Sequence, residues 1–338
     1  MKTPVQTFTV SPAEAGQKLL QYLARRLGSG LPQAALQKFI RTGQVRLDGK
    51  RCKPFDRISE GQLVRVPPYE TGTTGTPPAM PVPSPTAGTK PRGQALRVLR
   101  KGGEMAKPGD GGRRDIVLDI LHEDDDLLVV VKPAGLPVHP GSGHPFALTT
   151  LLHERHADAP FAPTPAHRLD RDTTGLLLVA KTYRKLRALH EAMVTGAARK
   201  DYFAWVRGRW LLGEEGEWLT LRDRLAKEGI PGRQRVEASE AGKEAVSKVR
   251  LLATMPQASL LEVRLETGRT QQIRAQLASR GYPLVGDAKY GGGTPPLLLH
   301  AWRVTLPGEA YCAPPDWPAP WSVSRPRRDT VDGCREKP

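Results

Sequence analysis

The run His167-Arg168-Leu169-Asp170-Arg171-Asp172-Thr173-Thr174-Gly175 places two carboxylates among arginines and hydroxyls, just before the apolar stretch Leu176–Ala180. A carboxylate in a loop held by a buried strand is well placed for binding or catalysis. The same residues also suit a turn in which Asp and Thr side chains satisfy their own backbone. Asp172 and Thr173 fit the turn; for Asp170 the spacing alone leaves both readings open. A second run, Glu266-Thr267-Gly268-Arg269-Thr270-Gln271-Gln272-Ile273-Arg274-Ala275-Gln276-Leu277, ends a strand, turns at Gly268 and lets Thr270 open a helix. On that helix Thr270, Arg274 and Leu277 share a face, which sets Arg274 beside apolar positions. A buried guanidinium needs a carboxylate or phosphate partner, and an ordinary structural ion pair would serve as well as a functional one.

Other chemistries lack their residues. No GxGxxG follows a strand and no GxxxxGK[ST] is present. The Gly291–Gly293 run reads as a turn. His153 and His156 stand in HERH, not HExxH, with no cysteine or carboxylate cluster beside them, so they read as surface histidines on a helix and no metal site is expected.

The elements that must position these groups follow from the apolar pattern. Strands are expected over 127–132, 175–181, 202–207, 245–252, 259–266 and 297–306, and helices over 182–195 and 270–280. In Leu261, Val263 and Leu265 against Glu262, Arg264 and Glu266 the alternation is strict, so one face is buried and one is wet. Few strands are joined by regular helical crossovers, which favours an α+β fold with a mixed, largely antiparallel sheet. Ahead of it, residues 1–68 form a small α/β segment. Apolar residues recur at helical spacing from Leu19 to Ile40, broken at Gly28–Gly30 and Pro32, and short strands are expected around turns at Asp48–Gly49 and Glu60–Gly61. Residues 69–115, rich in Pro, Gly and Thr and basic in their second half, read as a linker. Residues 116–307 are the main domain, and 308–338 read as a loosely packed tail.

The 338 residues carry a net charge of +16, which draws polyanions at long range. Nucleic acid is the commonest such partner, though an anionic membrane fits charge alone. Cys52, Cys312 and Cys334 stand far apart with no CxxC pair, so no disulfide is expected and a reducing compartment fits. With no secretory h-region and no apolar run near the roughly 20 residues that span a bilayer, a cytoplasmic protein is expected.

Taken together, the motifs resemble those of the RluA-type RNA pseudouridine synthases. HRLDRDTTG is similar to that family's HRLDxxTSG, TGRTQQIRAQL to TGRTHQIRVHL, and Lys200-Asp201-Tyr202-Phe203-Ala204-Trp205-Val206-Arg207-Gly208 to its KxYxAxVxG strand. The stretch from Glu123 through Lys132-Pro133-Ala134-Gly135 to Gly141, and the closing Gly281–Asp287, Tyr290 and Leu298–Ala301, resemble its remaining signatures. Residues 1–68, with LQKFIRTGQVRLDGK, resemble an alpha-L RNA-binding module. The resemblance implies a redox-neutral isomerisation that needs no cofactor. It makes Asp170 the catalytic carboxylate, Arg274 its partner, and Tyr202 the residue that stacks on the uracil and the candidate proton acceptor. Arg168 and Arg269 would meet substrate phosphates and Leu284 would line the pocket. Lys38, Arg41, Arg46, Lys50 and Arg51 would contact RNA in the first module. The expected substrate is large-subunit ribosomal RNA, with transfer RNA as the alternative, and the enzyme is expected to work as a monomer. Thr174, Gln271 and Gln276 depart from the family pattern, the glutamines replacing two histidines. A non-catalytic RNA-binding assembly factor on the same fold draws its support from those two glutamines alone. An aspartyl-phosphate enzyme would need a lysine and metal-binding acids that have no counterpart here.

Overall fold

The computed structural model describes residues 2–27, 31–70, 116, 118–141, 146–229, 235–291, 293–294, 296–323 and 334–335. The expected linker, apart from its first two residues and residue 116 that follows it, lies outside them, as does the break at Gly28–Gly30. The chain divides into two compact units. One holds residues 1–117 with 158–162 and 182–184; the other holds 118–157, 163–181 and 185–338.

In the first unit, helices Leu19–Leu27 and Gln33–Arg41 form where the 3.6-residue spacing places them. Leu19, Leu20, Tyr22 and Leu23 from one, and Leu36 and Ile40 from the other, close over Val45, Val64 and Val66. Val64 and Val66 come from a four-stranded antiparallel sheet in the order Gln6–Thr9, Leu63–Val66, Arg46–Leu47, Lys50–Arg51, and Val45 directly precedes its third strand. Along Leu63–Val66 exposed and buried residues alternate, as a sheet with one wet face requires.

The second unit is built on one 12-stranded sheet. Its main path runs Arg235–Ala238, Leu219–Glu228, Lys243–Met255, Ala258–Leu265, Arg199–Arg207, Leu299–Leu306, Thr174–Ala180, Leu127–Lys132, Asp119–Glu123. All these neighbours are antiparallel except Thr174–Ala180 against Leu299–Leu306, which pair in parallel. The α+β class with a mixed, largely antiparallel sheet is therefore as expected. Gly175 makes the parallel contact possible. Its φ is 109°, and a Cβ there would strike the backbone of Ala301. Where Arg199–Arg207 meets Leu299–Leu306 the register slips between Asp201 and Tyr202, the kind of bulge that re-aims a side chain.

The C-terminal segment corrects two expectations. Glu309–Cys312 is a strand on the edge of Leu299–Leu306, with Ala310, Tyr311 and Cys312 buried. Trp317 and Trp321 pack on the Phe203, Trp205 and Trp302 cluster, and Trp205 Nε1 donates to the Trp321 carbonyl at 2.9 Å. This is part of the folded unit rather than a loose tail. Cys334–Arg335 pairs in parallel with Glu309–Cys312, which brings Cys312 and Cys334 to a Cα separation of 5.7 Å and a disulfide. Separation in sequence concealed that pairing, and only Cys52 remains a free thiol. Among the described residues no helix is long and apolar enough to cross a membrane.

Candidate active site

Asp170 is held from several directions by the loop around it. Leu169 is buried in the core. His167 Nε2 accepts the Leu178 N–H at 3.1 Å, tying the loop's start to the following strand. The Thr173 N–H donates to the Asp170 carbonyl at 3.2 Å. From the neighbouring strand, in register with Gly175, comes Lys132, fully buried, whose Nζ donates to the carbonyls of Pro133, Leu136 and Arg171 at 2.7, 2.9 and 2.9 Å. Burial draws the Lys132 pKa from 10.5 to about 7 against the opposing pull of Asp172 and Asp170. The three carbonyls match the three protons of an ammonium. At the loop's end, Thr174 Oγ1 lies 2.7 Å from His300 Nδ1, and His300 Nε2 lies 2.8 Å from the Ala313 carbonyl. Burial lowers the His300 pKa to about 4, so the ring is neutral. The carbonyl fixes the proton on Nε2, and Nδ1 accepts from the threonine hydroxyl.

Helix Gln272–Ala278 brings Arg274 to this carboxylate. Its Nη1 donates to Asp170 Oδ2 at 3.2 Å. Its Nε and Nη2 donate to the two oxygens of Asp287 at 2.7 and 2.8 Å. Burial alone would depress the arginine's pKa, but the Asp287 and Asp170 carboxylates more than reverse this and leave it raised. The Tyr290 ring lies 5.2 Å from the guanidinium and supplies a cation–π contact. Asp287 is itself fixed by the N–H groups of Lys289 and Tyr290. Gly286, at φ 79° and packed against the Pro296 backbone, permits the turn that delivers it. Asp287 and Tyr290 were legible as motif positions, but only the fold shows that Arg274 has two acid partners.

Tyr202 comes from the sheet strand Arg199–Arg207 and is 4% exposed. Burial, then the neighbouring Asp170 and Asp201 carboxylates, push its phenol pKa upward, so the hydroxyl stays protonated. A cavity of about 500 Å³ is lined by Asp170, Tyr202, Arg274, Arg168, Arg269 and Lys200, among others. A second, of about 570 Å³, shares Arg168, Asp170 and Arg274 and adds His139, Arg171 and Lys289. The carboxylate thus faces two cavities.

The other expectations divide. Arg168 and Arg269 reach the cavity walls; Arg269 also donates from Nε to the Glu244 carbonyl at 2.8 Å. Leu284 does not line either cavity. Its bridge to Val206 carries it into the core, where it is fully buried. The helix begins after Gln271, not at Thr270, because Gln271 is in the left-handed region with φ 51°. The two glutamines turn out to be different. Gln271 lines both cavities, and its Oε1 lies 2.9 Å from the Tyr290 hydroxyl. Gln276 is fully buried, accepting from Ser247 Oγ at 2.7 Å and donating to Asp223 and the Ala245 carbonyl. It ties the helix to the sheet and faces no cavity.

In the first unit Lys38, Arg41, Lys50 and Arg51 are exposed and Arg46 is half-buried. Arg65, which the motif reading passed over, is paired in register with Arg46, and Arg46 with Arg51. Three guanidiniums therefore stand in a row across three strands. Like charges opposite one another destabilise a sheet, and none of the three has a carboxylate partner among the described residues. Such a row suits a polyanion.

Among the described residues no cluster of metal-ligating side chains is found. A family model described as RNA pseudouridylate synthase matches residues 126–279. The chain is 34% identical over 311 residues to the ribosomal large subunit pseudouridine synthase C of Haemophilus ducreyi, covering 89% of this chain and 87% of that protein. It is 32% identical over 292 residues to the protein of the same name from Escherichia coli strain K12, covering 86% and 81%. The solved structure of human RNA pseudouridylate synthase domain containing 1 is similar in fold, with a TM-score of 0.53 at 20% identity over 64% of this chain and 94% of that one.

Proposed function

The chain belongs to the RNA pseudouridylate synthase family, and from that membership we propose that it isomerises uridines of large-subunit ribosomal RNA to pseudouridine, with Asp170 as its catalytic carboxylate. The enzyme is an isomerase acting on RNA. The reaction breaks the bond from ribose C1′ to uracil N1 and forms one from C1′ to C5. The proton lost from C5 is balanced by one gained at N1, so no oxidant or reductant enters.

The observation that carries the site assignment is the Asp170–Arg274 pair at 3.2 Å on the wall of an open cavity that also holds Tyr202. Arg274 keeps the carboxylate oriented, and its own orientation comes from Asp287. The buried Tyr202 ring offers an apolar surface to an extruded uracil. Flipping a base out of its stack costs about a few kcal/mol, and stacking recovers about 1–3 kcal/mol per base. Because the phenol is held protonated, it acts as a donor or a surface in the resting enzyme. Any proton it takes from the base must be passed on in the same step. Arg168 and Arg269 at the cavity wall suit the flanking phosphates, and the Arg65–Arg46–Arg51 row with Lys38, Arg41 and Lys50 suits more distant RNA backbone. The ribosomal substrate is argued from the relatives' names and this basic module. Pseudouridine mapping of total RNA with and without the gene tests it. Loss of a position in large-subunit ribosomal RNA is expected; loss only in transfer RNA would overturn the substrate, and no loss anywhere would overturn the activity.

A further inference from the structure

One cation in the cavity is used neither by the fold nor by the chemistry above. Lys200 shares a strand face with Tyr202, since the two stand two residues apart on Arg199–Arg207 and pair with Leu265 and Val263 of the same neighbour. Side chains at that spacing lie about 7 Å apart along the strand. Lys200 lines the cavity that holds Asp170, Tyr202 and Arg269. It is half-buried, yet among the described residues no carboxylate or carbonyl lies within hydrogen-bonding distance of its Nζ. Lys132, the fully buried lysine of the site, has three carbonyls. Burial lowers the Lys200 pKa with no acid to offset it. Glu266, which follows Leu265, the register partner of Lys200, and also lines the cavity, is engaged by Lys248 at 3.4 Å. On the open side stands Gly268, where a Cβ would come 3.7 Å from Nζ. The absence of a side chain there leaves the ammonium open to a ligand.

A partly desolvated ammonium without a carboxylate partner is stabilised by an incoming anion. We propose that Lys200 is a substrate-anchoring residue that takes a backbone phosphate of the RNA strand next to the uridine held at Tyr202. The inference rests on reading this cavity as the uridine site. The spacing supports it: a base against Tyr202 leaves its own sugar-phosphate at about the distance of Lys200. Arg168, Arg199 and Arg269 on the same cavity wall keep the surroundings cationic. A phosphate is favoured over a base carbonyl because a charged acceptor binds an ammonium more strongly than a neutral one.

The test uses the full chain and in vitro transcribed large-subunit ribosomal RNA, with initial rates of pseudouridine formation measured over a range of potassium chloride. K200Q should raise KM about tenfold or more while kcat stays within about twofold of wild type, and K200R should recover most of the loss. The slope of log kcat/KM against log salt should flatten by about 0.7–0.9, the signature of one lost phosphate contact. G268D, which places a carboxylate beside an intact Lys200, should reproduce the KM rise and covers the case in which K200Q folds poorly. Wild-type KM and salt slope in both K200Q and G268D would overturn the proposal, as would a loss confined to kcat. If the wild-type chain modifies no RNA, the reading of the cavity fails first and this proposal with it. If wild type turns over and the variants match it, only the Lys200 assignment falls.

Discussion

Asp287 grips Arg274 through both carboxylate oxygens, at 2.7 and 2.8 Å, whereas Asp170 takes a single hydrogen bond at 3.2 Å. Asp287 has no exposed side-chain surface, while Asp170 is 17% exposed. The first acid is therefore structural support for the arginine, and the second is left oriented but free on its cavity side. Their removal should have unequal consequences. D287A removes the bidentate partner and leaves the guanidinium with one longer hydrogen bond to Asp170, and should destabilise by about 3–5 kcal/mol. D170N leaves Arg274 paired and should cost about 1 kcal/mol. Urea unfolding of the two variants decides this, and equal losses would contradict the assignment of roles.

The same asymmetry makes D170N a clean chemical probe. It should abolish pseudouridine formation on ribosomal RNA while leaving RNA affinity within about threefold of wild type, because the cations that meet phosphate are untouched. Filter binding and a turnover assay on one preparation check it. Appreciable residual turnover would remove Asp170 from its proposed place in the chemistry.

Tyr202 bears on the pH profile. Burial and two nearby carboxylates raise its pKa above 10.0, so the phenol does not ionise in the neutral to mildly alkaline range. The pH dependence of kcat/KM should show no limb from this residue across that range, and Y202F should leave the shape of the profile unchanged even where it lowers the rate. A limb that vanishes in Y202F would show that the phenol titrates.

His300 and His167 make the unit sensitive to acid. Burial lowers their pKa values from 6.5 to about 4 and about 3. Between those values and 6.5 the unfolded chain binds more protons than the native one, so stability rises with pH in that window and is lost as pH falls through it. The melting temperature should fall between pH 6.5 and 4, and H300N, which removes one of the two groups, should flatten the fall. An unchanged slope in H300N would mean that His300 is not buried as a neutral ring.

Gly175 is required twice over, by its φ of 109° and by the Ala301 backbone against it. G175A should therefore destabilise by about 3 kcal/mol or more, measured by urea unfolding. A loss below about 1 kcal/mol would mean that the strands part easily there.

Much of this was legible in the residues. The strands rich in Leu and Val, the loop that carries Asp170 and the helix that carries Arg274 each announce themselves by local pattern. The charged strand Leu219–Glu228 does not, because only Leu221 and Leu225 along it are buried and its alternation is diluted by arginine and glutamate. Nor could the pattern say that Gln276 is sealed into the helix–sheet joint while Gln271 faces the cavities. A residue's role there depends on which way one helix is turned. Leu284, the disulfide partners and the second acid on Arg274 share that limit: each is settled by segments that meet only in three dimensions.

Thr174 and His300 meet across 126 positions of chain, and the parallel seam between their strands closes the loop that carries Asp170. During translation that loop leaves the ribosome long before its seat exists. Closing so long a stretch of chain costs entropy before the contact repays it, so the loop that carries Asp170 gains its full anchorage only once Leu299–Leu306 has docked beside Thr174–Ala180.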